Sequence, residues 1–333
     1  MDKIEIYIDE LLEKSTPDRP IWNIEKILQG LKSTWNYIDG CMIKAILEMY
    51  AITKDEKYFR FADNFIDCKV REDGSIEGYS VEELNIDNVN AGKTLFELYD
   101  LTGKEKYRKA IDLVYSQIEQ MPRTAEGNFW HKNIYPNQVW LDGLYMCQPF
   151  YMEYETRFHE KKNYDDIFRQ FFNVVEHMRD PKTGLYYHAY DSSREMFWCD
   201  KVTGLSQNFW LRALGWYSMA LLDTLDKADA SVGEPYERLK KVFVDLMDAM
   251  LKYQDASGMW YQVVNFGGME KNYLETSGSS IMAYALLKGV RLGFLPENYQ
   301  TYGAKAFHGI CEKYLSEDAD GSLHLDGICL VAG

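Results

Sequence analysis

The feature that most constrains what this chain can fold into is a repeat of helical hairpins. LEMYAITKDEKYFRFADNFID, ending at Asp67, aligns with LFELYDLTGKEKYRKAIDLVYSQI, ending at Ile118, so that Tyr50 matches Tyr99 and Tyr58 matches Tyr107, each pair 49 residues apart. In each copy a first helix runs into a short polar turn, ITKDEK or LTGKEK. A second helix follows with apolar residues at i, i+3 and i+4 spacing, as in Tyr107, Ala110, Ile111, Val114 and Ile118. Three less regular copies lie downstream: Val139 to Phe158 with Tyr164 to Met178, Asn208 to Leu225 with Tyr236 to Leu251, and Tyr273 to Leu292 with Tyr302 to Tyr314. The pattern covers most of the 333 residues and reads as one all-α domain spanning residues 1–333.

The first helices of these units are apolar nearly all round and rich in small residues (NAGKTLFELY, LRALGWYSMALL, SGSSIMAYALLKGV), whereas the second helices carry a charged face. A helix apolar on every side is buried. Inner helices ringed by outer ones describe a closed α/α toroid rather than an open solenoid, with its pocket where the inner helices begin. The segments that precede those helices are long and aromatic, namely GNFWHKNIYPNQ, GLYYHAYDSSREMFWCDKVTG and SGMWYQVVNFGGMEKNY, as expected of binding loops on a rigid scaffold. Strand-like alternation is confined to short loop pieces, so minor hairpins are the only sheet expected.

The charge balance narrows the partners. With 37 Lys plus Arg against 52 Asp plus Glu, the net charge of −15 argues against a surface that displaces counterions from nucleic acid. Aromatic residues make up 15%, including 8 Trp and 25 Tyr; core packing accounts for most, and a cleft that stacks sugars suits the remainder. The start, MDKIEIYIDELLEKS, is an amphipathic acidic helix without a basic segment or an apolar run of secretory type, which places the protein in the cytoplasm. No apolar stretch is long enough to span a membrane. Cys41, Cys68, Cys147, Cys199, Cys311 and Cys329 are scattered without a C-x-x-C pair, and are read as buried thiols rather than disulfides.

Four segments sit at starts of inner helices: WNYIDG at Trp35 to Gly40, NIDNVNAG at Asn85 to Gly92, HKNIYPNQVWLDGLYM at His131 to Met146, and NFWLRALGW at Asn208 to Trp216. They bring carboxylates, rings and cations to one rim. Asp is a favoured N-cap residue, so helix capping is a competing reading for both Asp87 and Asp142. Asp142 differs in its neighbours Trp140, Leu141, Leu144, Tyr145 and Met146, among which a carboxyl loses hydration and is protonated more readily, as a general acid requires. His131, His159, His177, His188, His308 and His324 lack the pairing of a helical zinc site, and neither a G-x-S-x-G elbow nor a phosphate-binding Gly loop is present, so no metal and no cofactor are expected. His188, in LYYHAYD, is the best rim donor to a substrate, with a buried structural histidine as the alternative. Lys132 and Arg212 are the cations nearest the rim. They point to a ligand carrying a carboxylate, or else to surface ion pairs.

The strings HKNIYPNQVWLDGLYMCQPF, NFWLRALGW, NYLETSGSSIMAYALLKGVRLG and DGICLVAG, in that order, resemble the unsaturated rhamnogalacturonyl hydrolases, glycoside hydrolase family 105, whose cousins are the unsaturated glucuronyl hydrolases of family 88. The likeness runs from about Trp35 to Gly333. It implies an (α/α)6 barrel and an unusual reaction, in which water is added across the C4–C5 double bond of a terminal unsaturated uronic acid. By the same resemblance Asp142 is the proton donor. Asp87 is the second acidic position, which orients sugar hydroxyls and raises the pKa of Asp142. Tyr37, Trp140, Met146 and Trp210 pack on the ring, while His131, Lys132, His188 and Arg212 bind the carboxylate and hydroxyls.

One departure follows from the count. Five hairpins and the N-terminal helix make eleven principal helices, one short of the barrel's twelve, so the last inner helix is expected to be missing. The apolar faces around Met42 to Leu47 and Ile281 to Leu287 are then expected to be partly open or covered by self-association. The expected ligand is a pectin-derived unsaturated uronyl disaccharide, with no nucleic acid and no membrane. Alternatives are a glucuronyl enzyme on glycosaminoglycan fragments, a non-catalytic toroid that binds oligosaccharide or a partner protein, and a sugar epimerase on a similar toroid.

Overall fold

The computed structural model describes residues 3–330, so Val331–Gly333, the end of the DGICLVAG string, lie outside it. Its helices fall into two compact units. The first takes the chain up to Pro122 together with His131–Ile134. It contains α1 (Lys3–Glu13), the short α2 (Ile24–Gln29), α3 (Tyr37–Thr53), α4 (Glu56–Asp67), α5 (Lys93–Thr102) and α6 (Glu105–Gln120). The hairpins α3/α4 and α5/α6 are the two copies matched by their tyrosines.

The repeat has a physical reason at each matched position. The carbonyls of Tyr50 and Tyr99 accept from the residues that close their helices in the left-handed conformation, Lys54 at 2.9 Å and Gly103 at 2.8 Å, which ends each first helix at the same point. Tyr58 and Tyr107 are fully buried on the second helices. Each hydroxyl donates to an aspartate of the preceding outer helix, Tyr58 to Asp9 Oδ1 of α1 at 3.0 Å and Tyr107 to Asp63 Oδ1 of α4 at 2.6 Å. Burying a phenol is tolerable only with such a partner. The same tyrosine therefore bolts one outer helix to the next.

Two expectations need correction in this unit. NAGKTLFELY is not α-helical from its start: Ile86–Gly92 form a 3-10 helix and α5 begins only at Lys93. Asn and Asp side chains compete for backbone donors, and here Asn85 Oδ1 takes the Asp87 N–H at 3.1 Å. Nor is α3 buried all round, since only Asp39, Gly40, Ile43, Ile46 and Leu47 of its 17 residues are buried. Its far side carries Lys44, paired with Glu97 at 2.6 Å and Glu48 at 2.9 Å.

The second unit takes Arg123–Trp130 and Tyr135–Gly333. It holds the hairpins α7 (Leu141–Phe158)/α8 (Tyr164–Met178), α9 (Leu211–Lys227)/α10 (Glu234–Leu251) and α11 (Thr276–Arg291)/α12 (Tyr299–Tyr314). Of two small antiparallel sheets, β3 (Leu315–Glu317) with β4 (Leu323–Leu325) is a minor hairpin as expected, whereas β1 (Gln138–Trp140) pairs with β2 (Ala189–Asp191) across the intervening helices. Here α7 and α9 behave as read, with 13 of 18 and 11 of 17 residues buried, whereas α11 buries only 8 of its 16; α8 buries one face through Tyr164, Ile167, Phe168, Phe171, Val174 and Met178. Helix α9 packs against both α7 and α11. The five hairpins and α1 are the eleven principal helices of the sequence reading, to which the structure adds α2.

Of the two faces expected to be partly open, Met42 and Lys44 on α3 and Ile281, Tyr284 and Leu287 on α11 are half-buried and the rest, apart from exposed Ala45, are buried. None of the six cysteines forms a disulfide among the described residues, but only Cys147 and Cys199 are buried, and Cys68, at the C-terminal cap of α4, is exposed. The expectation of six buried thiols is corrected there: a helix end offers no core to enter. No helix among the described residues is long and apolar enough to cross a membrane.

A buried carboxylate frames the loop that follows β2. Asp191 is wholly inaccessible, and accepts from Ser193 N at 3.0 Å and Ser193 Oγ at 2.7 Å on one oxygen, and from Glu195 N and Met196 N, each at 2.8 Å, on the other. Burial pushes its pKa up, but these donors outweigh burial and hold it below the usual carboxylate range.

Because the folded pKa of Asp191 lies below the unfolded value of about 3.9, its contribution is complete above that value and is lost as pH falls through the folded one. Amide protection at residues 193–196, corrected for intrinsic exchange, should therefore hold at pH 6 and decline below about pH 4. Asp191→Asn should lower it at both; protection indifferent to pH and to the substitution would remove the carboxylate from this role. In the first unit, a Cβ placed on Gly40 would stand 2.6 Å from the Ala91 Cα, a backbone atom that cannot swing aside. Gly40→Ala should cost about 1–3 kcal/mol in urea unfolding without changing the slope of the transition.

Candidate active site

In the second unit, β1 runs directly into α7, and this junction creates the site. Trp140 is both the last strand residue, paired with Ala189, and the residue at the helix cap; the next amide, Leu141 N, donates to the His188 carbonyl at 3.0 Å. Asp142 thus enters the first turn of α7 facing the residue just before β2. Its Oδ2 lies 3.1 Å from His188 Nε2; the two side chains are 16% and 20% exposed, while these two facing atoms are themselves inaccessible. The cap position belongs to Trp140, which offers no side-chain acceptor, and the capping reading of Asp142 is thereby removed. A carboxyl beside an imidazole at a helix start is a pair that can pass a proton to a bound molecule and recover it.

Rings fix the imidazole from two sides. The Trp140 ring meets His188 edge-on with centroids 5.4 Å apart, Trp210 packs on it at 4.9 Å, and Tyr135 stacks on Trp140 at 5.4 Å with the planes only 8° apart. Trp210 holds its place because it precedes α9 and pairs with Val263, while Leu211 N donates to the Gln262 carbonyl at 2.9 Å. Arg212, in the first turn of α9, lays its guanidinium 4.5 Å above the Trp210 ring. These elements enclose a cavity of about 650 Å³ lined by Trp140, His188, Trp198, Gln207, Trp210 and Gln262 among others. That volume falls in the range of small-molecule sites. A wider hollow of about 920 Å³ lies against α12, but its lining holds no Trp, Tyr or Phe.

Not every sequence-derived residue reaches that cavity wall. Trp140, His188 and Trp210 line it; Asp142 and Arg212 each contact a lining residue, His188 at 3.1 Å and the Trp210 ring at 4.5 Å; Met146, one helical turn beyond Asp142, is only 2% exposed and belongs to the core. Sequence reasoning passed over Tyr135, Trp198, Gln207 and Gln262. The pair Phe197–Trp198 in an otherwise polar loop was a readable signal, whereas Gln207 and Gln262 carry none.

The first unit holds the second cluster. Asp87 lies in the 3-10 turn ahead of α5, and its Oδ2 meets Lys132 Nζ at 2.7 Å while Oδ1 is 3.3 Å from His131 Nε2. The backbone sets this up, since Asn85 bridges to Lys132 and Ile86 N donates to the His131 carbonyl at 3.2 Å. Asn85, not Asp87, caps the turn. His131 is buried, whereas Asp87 and Lys132 keep 13% and 22% of their side chains accessible, so this cluster presents a carboxylate and a cation together. Tyr37 opens α3 and is half-buried. Nearby in sequence, Asp39 does structural work, accepting from Ser33 Oγ at 2.7 Å, Trp22 Nε1 at 2.9 Å and Asn36 Nδ2 at 2.9 Å.

Comparison with known proteins agrees with this reading of the fold. The family description Glycosyl Hydrolase Family 88 matches residues 13–333. A solved glycoside hydrolase of family 105 from C. acetobutylicum ATCC 824 is 44% identical and superimposes with a TM-score of 0.88, over 98% of this chain and 89% of its own. The unsaturated rhamnogalacturonyl hydrolase YesR of Bacillus subtilis strain 168 is 27% identical over 294 residues, covering 86% of this chain and 79% of YesR. The unsaturated glucuronyl hydrolase of Bacillus sp. GL1, at 13% identity and a TM-score of 0.67 over 90% of this chain and 80% of its own, shares the fold. An all-α chain of helical hairpins, with its aromatic cavity at the helix starts and a match to the family along nearly its whole length, belongs to Glycosyl Hydrolase Family 88.

Proposed function

We propose that this protein releases a terminal unsaturated uronic acid from a pectin-derived, rhamnogalacturonan-type oligosaccharide by hydrating the C4–C5 double bond. The observation that carries the proposal is the Asp142–His188 pair, 3.1 Å apart and set among Trp140, Trp210 and Tyr135, with the Arg212 cation against the same ring system. The likeness to YesR supports the choice of leaving sugar. A sugar ring stacks on indole faces, and a C6 carboxylate is recognised by a guanidinium fork.

The double bond to be hydrated is a vinyl ether. Asp142 gives its proton to C4, which leaves an oxocarbenium-type centre at C5. Water adds at C5 and returns a proton to Asp142, so one carboxyl serves as acid and then as base. The C5 hemiketal opens to a ketone, which leaves C1 as a hemiacetal carrying the departing sugar. Collapse to the aldehyde releases that sugar as an alcohol. One water is consumed, and a second carboxylate at the separation used by ordinary glycosidases is not required.

His188 orients the Asp142 carboxyl through the 3.1 Å contact, and Trp140 and Trp210 pack on the ring. Arg212 holds the C6 carboxylate: both of its bonds to the protein leave from Nη1, and the rest of the fork serves the ligand. In the first unit Asp87 is fixed by Lys132 and His131.

The assay is loss of the absorbance of the C4–C5 double bond on lyase-generated pectin disaccharides, with saturated disaccharides as the control and glycosaminoglycan disaccharides as the comparison. Asp142→Asn should lower turnover at least about a hundredfold while leaving fold and binding in place, because the amide is nearly isosteric but donates no such proton; near-normal turnover would overturn the mechanism. Arg212→Met should weaken the uronate more than its neutral methyl ester, by about 1.5–3 kcal/mol. Equal losses would assign Arg212 to the scaffold, and faster turnover of the glycosaminoglycan disaccharides would move the substrate to the glucuronyl class.

A further inference from the structure

We infer that Glu275 is a positioning residue for the proposed site, and that it acts by holding the Arg212 guanidinium in register with Trp210. The inference rests on the reading of Arg212 as the group that meets the substrate carboxylate. Glu275 is the residue before α11, with no accessible surface, and Trp260 O accepts its amide at 2.9 Å. One carboxylate oxygen accepts from Gly278 N at 2.7 Å. The other accepts from Ser277 N at 3.0 Å, Ser277 Oγ at 2.7 Å and Cys329 N at 2.9 Å.

Capping α11 needs only the amides of that helix start. The remaining bonds reach toward Arg212, since Arg212 Nη1 donates to the Cys329 carbonyl at 2.5 Å and to Ser277 Oγ at 3.4 Å. The residue whose amide Glu275 fixes therefore supplies the carbonyl that Arg212 grips, and the hydroxyl it fixes is the second acceptor. The chain around Cys329 is seated independently by Thr276 N on the Gly327 carbonyl at 2.9 Å and Thr276 Oγ1 on the Asp326 carbonyl at 2.6 Å. Gln262, which lines the cavity, donates to Cys329 Sγ at 3.0 Å. A strap from Asp326 to Cys329 thus lies across the start of α11, and the buried carboxylate sets where it stops. Two acceptors at fixed places hold a planar guanidinium over the Trp210 ring, where a long side chain in solvent would sample many rotamers.

The test is a comparison of the unsaturated uronate with its neutral methyl ester in wild type, Arg212→Met, Glu275→Gln and Ser277→Ala. The Gln side chain keeps the size of Glu275 but turns a donor toward donors, so one arm of the network is lost. Glu275→Gln should raise KM for the uronate about tenfold, with kcat within about twofold and the ester unaffected, and Ser277→Ala should move the same ratio in the same direction by less. Where turnover is too slow to measure, quenching of tryptophan fluorescence gives the same ratio from binding. If Arg212→Met abolishes the preference for the acid but Glu275→Gln raises KM for acid and ester alike, or changes neither, Glu275 is a helix cap alone and the inference falls. If Glu275→Gln does not fold, Ser277→Ala decides: an acid-selective loss supports the inference and an unchanged ratio overturns it. If Arg212→Met itself leaves the preference intact, the reading of Arg212 has failed and the positioning role falls with it.

Discussion

A helix with almost no solvent-facing surface has to be enclosed by others, and α7 is such a helix. Its 18 residues include 13 that are buried, among them Leu144, Phe150 and Met152, so α8 must cover one side and α9 another. The same demand passes from α9 to α11, because α9 buries 11 of its 17 residues. Close approach is part of it: a Cβ on Gly278 would lie 2.4 Å from the Leu211 side chain. Helices packed this tightly leave their polar chemistry to the ends, where backbone donors and loop side chains meet.

The chemistry of the second unit sits at those ends for that reason. The start of α7 supplies Asp142, the start of α9 supplies Trp210 and Arg212, and the segment before β2 supplies His188. A three-residue sheet joins the first of these to the last through the Trp140–Ala189 pair and the adjoining Leu141 N to His188 O bond. Side-chain positions in the Asp142–His188 pair are thus set by main-chain bonds, which are stiffer than any surface ion pair.

Buried carboxylates recur as the devices that hold loops still. Asp39, Asp191 and Glu275 are each buried, and each accepts three or more hydrogen bonds from residues close along the chain or from a crossing segment. An ionised acceptor makes stronger bonds than a neutral one, and a buried carboxylate is stable only when its lone pairs are met. In a chain of net charge −15, some of the acidic residues therefore do internal work rather than solvate the surface.

Periodicity and small-residue content in the sequence were enough for the hairpins, because helix spacing and burial are properties of a segment and its own side chains. Tyr50, Tyr58, Tyr99 and Tyr107 marked the repeat, and the helices of the second unit begin and end within a few residues of where the apolar pattern puts them. Asp142 stood out by its apolar neighbours as a candidate general acid, and only likeness to a family suggested the reaction it would serve. The tertiary structure alone decided the rest. That Asp142 faces His188, 46 residues on, depends on a strand register; that Asp87 meets Lys132 depends on a backbone bridge; that Glu275 reaches Cys329, 54 residues on, depends on a strap folding back across a helix start. Met146 shows the converse: likeness to the family put it against the sugar ring, and the packing around it took it into the core. Contacts between residues far apart in sequence are fixed by the packing of whole elements, and no local pattern in the chain carries that information.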